Sequence, residues 1–419
     1  MQEVVLGVDV GTSGIRILAV NEALDICAAS SVTLPAPLIH KGQITQDANI
    51  WREGLKQALA QLDRQNLAIK AMAINGTSGT LLAIDEYGRP LTPGSMYNDQ
   101  ALAEHVAIID KIAPQDTAAR GTTSALARAL AMPKGRLLHQ ADWLAAQFTG
   151  LFDLSDENNA LKTGYDPRSR NWPNWIATTG LDMARLPKVL PAGSPMARIN
   201  KNAAAEFHLP DDLLIVAGTT DGCAAFLASG ASEPGDGVTS LGTTITLKLL
   251  SATPVFAPEF GIYSHRIGDD WLAGGASNSG GVVLKEFFTP DQMAELTKKL
   301  NPEKPTGLDY YPLPKAGERF PIADPNFPPR LSPRPTDDAI FLQAILEGMA
   351  AIEALGYQRL DELGASKLRS IRSLGGGSEN KPWTKMRLNI LNVPEYSVLS
   401  TQAALGTARL AWRGLNHAN

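Results

Sequence analysis

Two segments far apart in the chain share one plan. GVDVGTSGIRILAV (residues 7–20) and GVTSLGTTITLKLL (residues 237–250) each read as strand, glycine- and hydroxyl-rich turn, strand. In the first, the apolar run 4–8 reaches Asp9, a tight turn spans 11–14, and a second strand starts at Ile15. In the second, Gly242, Thr243 and Thr244 form the tip. Such a hairpin at the opening of each half predicts a duplication of α/β domains.

The tip of the first hairpin gathers backbone N–H groups with the hydroxyls of Thr12 and Ser13, donors suited to phosphate oxygens. Asp9 beside them suits a magnesium ion, which takes carboxylate, water and phosphate ligands. The same residues also serve an ordinary turn, and the hairpin alone does not separate the two readings.

With 419 residues the chain exceeds one compact core, so two domains are expected. Hydrophobic content of 44% and charged content of 19% describe an ordinary globular protein. A net charge of −5 argues against nucleic acid or an anionic membrane as the main partner. No apolar run is expected to reach bilayer-spanning length. Cys27 and Cys223 lie far apart without metal-type spacing and read as buried small hydrophobes of a reducing compartment. The chain enters a strand almost at once, so a cytoplasmic location is expected, or an organelle after loss of a transit peptide.

After the hairpin, residues 24–34 give a third strand. Trp51, Leu55, Ala58, Leu59 and Leu62 recur at helical spacing, in a helix opened near Asp47. A strand at 69–74 leads into NGTSGT (75–80) and the strand LLAID (81–85). Helices are expected over 101–112, 124–132 and 138–148, the last stopped by Gly150, and irregular covering structure over 166–195. The apolar run LLIVAG (213–218) is read as opening the second unit, giving domains 1–216 and 217–419. There a long helix over 338–363, a strand at 368–374, GGGSEN (375–380), a helix to Leu391, a strand at 396–399 and a helix over 401–415 complete the domain.

Four loops at strand ends carry the chemistry. Two are the hairpin tips. Gly375-Gly376-Gly377 allows a ligand close to the backbone between a strand and a helix, or is simply a tight turn. In AGTTDGCAAF, Asp221 is either a helix N-cap or a general base kept ionised at a helix start. No GxxxxGK occurs and no GxGxxG follows an early strand, which excludes the common nucleotide fingerprints. The six histidines lack ligand spacing. His139, Asp142 and Arg319 read as fold support.

The motifs DVGTSGIR, NGTSGT, MYNDQ, GTTDG, TSLGTT, LPKAGERFPIADP and LGGGSEN, in this order, resemble the FGGY family of carbohydrate kinases over essentially the whole chain. Within it the chain is most similar to the short ribulokinase- and xylulokinase-like members of cyanobacteria and plants. The resemblance implies two ribonuclease-H-like domains of the actin and sugar-kinase superfamily, with an interdomain cleft, sugar mainly on the first and ATP mainly on the second. It implies that Asp9 lies near magnesium and the transferred phosphoryl, and that Asp221 is the catalytic base. Thr12 and Ser13 match the first phosphate loop, with Thr12 in a catalytic position, and Gly242 and Thr243 match the second. Gly376, Gly377 and Asn380 match the adenosine loop. Trp383 stands where it flanks adenine or serves as a core aromatic. Gly76, Thr77 and Ser78 match the sugar-side loop, and Asp99 a substrate-binding or hinge-supporting aspartate.

Departures bear on the sugar. D-xylulose kinases resembling this chain usually carry a Gln-Met-His-Gly type loop and Trp-Asn-Asp, where this chain has Asn75-Gly76-Thr77-Ser78 and Tyr97-Asn98-Asp99. Gln100 also stands where an arginine often follows the aspartate. The expected reaction is ATP- and Mg2+-dependent phosphorylation of a ketopentose, D-ribulose to D-ribulose 5-phosphate, by a monomer or homodimer. The alternatives are D-xylulose, a polyol, or weak sugar-independent ATP hydrolysis through a more open cleft, because the chain is shorter than typical members. A chaperone or filament ATPase would need polymer-contact insertions or a peptide-binding tail, and a catalytically idle regulator would not need Asp9 and Asp221.

Overall fold

The computed structural model describes residues 1–418. The chain divides into two compact units. The first comprises Met1–Ala228, His265–Gly268 and the segment from Ser400; the second comprises Ser229–Ser264 and Asp269–Leu399.

The first unit is built on a six-stranded sheet. Gln2–Val10 lies near its centre, with Gly14–Val20 and then Ile26–Thr33 antiparallel on one side. On the other side Leu67–Gly76 and Leu214–Thr220 run parallel to it, and Pro195–Arg198 closes the edge antiparallel. The first strand shows no alternation because both its faces are covered. Val4, Leu6, Val8 and Val10 pack with Trp51, Leu55 and Leu59 of the Ala48–Gln61 helix, which Asp47 caps as expected. Val5 faces a second cluster with Leu405 and Ala408 of the C-terminal helix Ala403–Ala418. Gly7 makes that approach possible, since a Cβ there would lie 2.0 Å from the Ala404 carbonyl oxygen.

Several expectations are corrected here. Residues 213–218 do form a strand, but it pairs with Leu67–Gly76 and belongs to the first sheet. The C-terminal helix packs in the first unit, not the second. The expected helix over 138–148 begins later, at Gln140–Thr149, because Arg136–His139 is a strand paired with Leu81–Ile84 in a separate five-stranded sheet. Gly150 ends that helix in the left-handed conformation, as expected. Residues 396–399 form no strand; only Glu395 bridges to Ile371.

The second unit repeats the local plan around Asp236–Leu241. Ile245–Ser251 and Asp270–Ala276 follow antiparallel on one side, and Ser370–Leu374 runs parallel on the other. The Asp338–Glu362 helix crosses this core, with Phe341, Ile345, Met349 and Leu360 buried. By length and composition it could cross a membrane, contrary to expectation, yet most of it is buried in the unit. Inside, Arg387 forks onto Glu353, Nε to Oε2 at 2.5 Å and Nη2 to Oε1 at 2.7 Å. Both residues are 1% exposed, so the pair is a fully desolvated clamp between two helices.

Candidate active site

In the first unit, three parallel strands end in step. Asp9 pairs with Asn75 and Val10 with Gly76, while Asn75 pairs with Thr219 and Gly76 with Thr220. Loops following parallel strands share one edge of the sheet, where α/β proteins collect their ligands. Asp9 and Asp221, the first residue of the Asp221–Ala228 helix, therefore lie at the same edge. Burial, and then the like charge of Asp221, push the Asp9 carboxyl above its usual range; Arg16 and the Asn75 side chain pull it back. Arg16 Nη1 is 3.8 Å from Asp9 Oδ2. Two repelling carboxylates at a strand edge form a donor set that a divalent cation would relieve. Among the described residues no group of three or more His, Cys, Asp or Glu is placed to hold a metal. Magnesium takes one or two carboxylates with water and substrate phosphates.

The adjoining turn is open on its N–H side. Gly11 N–H donates to the Gly14 carbonyl at 2.9 Å. The carbonyls of Thr12 and Ser13 are taken by Gln46 Nε2 (3.3 Å) and Leu34 N–H (2.9 Å). Among the described residues, no protein acceptor takes the N–H or hydroxyl of Thr12 or Ser13. Successive free donors on a turn make an anion-binding concavity.

The loop that follows Leu67–Gly76 divides into committed and uncommitted parts. Thr77 is committed to the scaffold: its Oγ1 bonds Thr80 Oγ1 at 2.6 Å and Gln140 Oε1 at 3.0 Å. Ser78 Oγ is buried without a partner among the described residues. Gly76 runs close under the next helix, where a Cβ would stand 3.1 Å from Ala141 N. Asp99 is fully engaged, accepting from Ile44 N–H (2.8 Å) and Ser95 Oγ (2.7 Å). It lines a cavity of its own neighbourhood, together with Ser95 and Arg128.

The second unit brings the remaining residues together. Gly242, Thr243, Gly376, Gly377, Asn380 and Trp383 line one cavity of about 340 Å³. Gly281 N–H and Val282 N–H donate to the carbonyls of Gly242 (2.9 Å) and Thr243 (3.1 Å), fixing that tip. Gly375 takes φ +83°, a value that favours glycine, as the strand turns out. Asn380 Oδ1 caps the Lys381–Leu391 helix by accepting from Trp383 N–H at 3.0 Å. The indole is buried in the core and held by its Nε1 on the Leu346 carbonyl at 2.9 Å, so Trp383 is both a cavity wall and a core aromatic.

Several residues near these loops carry no local sequence signature. Lys285 and Met293 also line the second unit's cavity. Asn158 reaches the strand that leads into Asp221, donating from Nδ2 to Thr219 Oγ1 at 3.0 Å. The only sequence sign of it was the polar run SDENNA between apolar segments. Asp156 caps the following turn through Asn158 N–H and Asn159 N–H, both at 2.9 Å, and burial lifts its carboxyl to about 7, with Asp142 adding to the rise. His139, buried, lies between Asp142 (2.8 Å) and Thr163 (2.9 Å). In the second unit Arg319 Nε donates to the Ala276 carbonyl at 2.6 Å.

Comparison with known proteins identifies the family. The profile of the FGGY family of carbohydrate kinases matches in its N-terminal domain over residues 4–228 and in its C-terminal domain over residues 237–415. A xylulose kinase of Staphylococcus epidermidis is 23% identical, covering 99% of this chain and 88% of that one. An L-fuculokinase of Escherichia coli is 24% identical, covering 100% and 94%. Among solved structures, a xyloylose kinase from Brucella ovis superposes with a TM-score of 0.84 at 25% identity, covering 99% of this chain and 91% of that one. A xylulose kinase from Rhodospirillum rubrum gives a TM-score of 0.85 at 20% identity, covering 98% and 90%, a likeness of fold.

Proposed function

The chain belongs to the FGGY family of carbohydrate kinases, and from that premise we propose that its acceptor is a ketopentose, D-ribulose in the first place, giving D-ribulose 5-phosphate. The observation that carries the reading is the shared edge of Asp9 and Asp221, beside a turn whose donors at Thr12 and Ser13 have no acceptor among the described residues. Asp221 takes the proton of the sugar's terminal hydroxyl as that oxygen attacks the γ-phosphorus of ATP. Thr12 and Ser13 donate to the phosphoryl oxygens, where negative charge must be held through the transition state. Gly242 and Thr243 hold the nucleotide's phosphates. Gly376, Gly377 and Asn380 hold its nucleoside against the Trp383 wall. Magnesium, when bound, neutralises phosphate charge, and Asp9 is the residue to hold it, largely through water.

On the sugar side, the Ser78 hydroxyl is the uncommitted donor, with Gly76, Thr77 and Asp99 as its support. The absence of a loop histidine and of tryptophan at position 97 favours D-ribulose. D-xylulose is the second reading, favoured by the relatives whose names are xylulose kinase. The discriminating experiment is kcat/KM for D-ribulose, D-xylulose and a panel of polyols, followed by ADP release. A higher value for D-xylulose would move the assignment to that sugar.

A further inference from the structure

A second cavity, of about 540 Å³, lies within the first unit and is lined by none of Asp9, Thr12, Ser13 or Asp221. Its volume is that of a small-molecule site. Arg128 is part of its lining and is only 4% exposed. Among the described residues its guanidinium donates to neutral oxygens only: Nη1 to the Ser95 carbonyl (3.0 Å) and Oγ (2.7 Å), Nη2 to the carbonyls of Gly79 (2.6 Å) and Thr123 (3.4 Å). Its Nε is buried with no partner among the described residues. Asp99 attracts it through space, but the Asp99 oxygens are occupied by Ile44 N–H and Ser95 Oγ. Burial drags the Arg128 pKa down to about 10. A buried cation with a spare donor and no carboxylate in contact is costly to maintain. The lining adds a second cation, the exposed Lys41, and an apolar wall that includes Leu102 and Met132.

We propose that this cavity binds a small organic oxyanion, a carboxylate or a phosphate ester of metabolite size, with its anionic group on Arg128 and Lys41 and its body against the Leu102 and Met132 wall. The charge balance sets the class. Arg128 and Lys41 outnumber Asp99, so a neutral sugar leaves the buried guanidinium uncompensated, whereas one oxyanion supplies both the missing acceptor and the missing charge. Arg128 also ties the cavity to the sugar-side loop, because the Gly79 carbonyl it holds immediately follows Ser78. Occupancy therefore biases the sugar loop, and the sugar biases occupancy in return.

The test is direct binding, measured by calorimetry on the full chain with citrate as the carboxylate probe and glycerol 3-phosphate as the phosphate-ester probe. Two variants locate the site: Ala131→Trp fills the cavity from an exposed position of its lining, and Lys41→Glu reverses the second positive charge. At least one probe should bind the wild type. That binding should be lost in Ala131→Trp and weakened about fivefold in Lys41→Glu, since reversing an exposed charge is worth roughly 1 kcal/mol. Turnover without added anion should be unchanged in both variants. Citrate alone identifies a carboxylate, glycerol 3-phosphate alone a phosphate ester. If neither probe binds the wild type, or if both variants bind as the wild type does, the proposal is overturned. Because the readout is binding, failure here leaves the kinase reading untouched, and failure of that reading leaves this one testable.

Discussion

Replacing Gly377 with alanine puts a methyl group where two fixed groups already stand. A Cβ there comes within 2.5 Å of Trp383 Cζ3 and 2.8 Å of Leu241 Cβ. Neither yields cheaply, because the indole is buried, hydrogen-bonded to Leu346, and packed in the same core as Leu241. Overpacking of this kind costs about 1–3 kcal/mol. At roughly 2–4 °C per kcal/mol for a domain of this size, Gly377→Ala should lower Tm by about 2–12 °C. Gly376 supplies the contrast, since a Cβ there meets nothing within 4 Å. Gly376→Ala should therefore leave Tm within about 1 °C. Both residues nevertheless line the cavity assigned to the nucleotide. If adenosine lies along this loop, either methyl intrudes on it, and the KM for ATP should rise about tenfold, equivalent to roughly 1.4 kcal/mol. The KM for the sugar should not move. Differential scanning fluorimetry gives the first quantity, and ADP-release kinetics at saturating sugar the second. An unchanged ATP KM in Gly376→Ala, alongside its unchanged Tm, would refute the placement of the nucleotide.

Asp221→Ala should lose sugar phosphorylation by about a hundredfold or more, the usual contribution of a general base, while equilibrium binding of ATP stays near wild type. Thr12→Val should lower kcat more than it raises the sugar KM, and equal losses would place Thr12 in the sugar site. Asp9 is held above its ordinary pKa by burial and by Asp221, so the folded state binds its proton more tightly than the unfolded state does. Ionising it then costs stability as pH rises from the ordinary 3.8 through the raised value. Asp9→Asn should accordingly melt higher than wild type at pH 7.5 and lose that advantage below pH 3.8, though it transfers no phosphate. A pH-independent difference in Tm would contradict the linkage. Glu353→Ala strands the Arg387 guanidinium in the core and should cost about 3–5 kcal/mol, read by urea unfolding.

The parts of the fold visible in the sequence were those fixed by local chemistry. Gly11-Thr12-Ser13-Gly14 can hardly be anything but a turn, Asp47 caps its helix, and Gly150 ends one with a left-handed residue. What local chemistry leaves open is which sheet a strand joins. Residues 213–218 are apolar throughout, which signals a strand covered on both faces but says nothing of its neighbour; only pairing with Leu67–Gly76 places it in the first sheet. The C-terminal helix shows the same gap, since small residues such as Ala404 and Gly406 permit close packing without saying against what. In the candidate site, Asp9, Thr12, Ser13 and Asp221 were legible because turns and strand ends have recognisable residues. Asn158 was not: its contact with Thr219 joins residues far apart in sequence. Nor does Asp99 in MYNDQ disclose that both its oxygens are already taken.

The central claim is that the phosphoryl group of ATP goes to a sugar and not to water. The direct measurement is the ratio of sugar phosphate formed to ADP released, followed by phosphorus NMR with D-ribulose, with D-xylulose and with no sugar. The account predicts one sugar phosphate per ADP with a ketopentose and near-zero ADP release without one. Equal ADP release with and without sugar would contradict it.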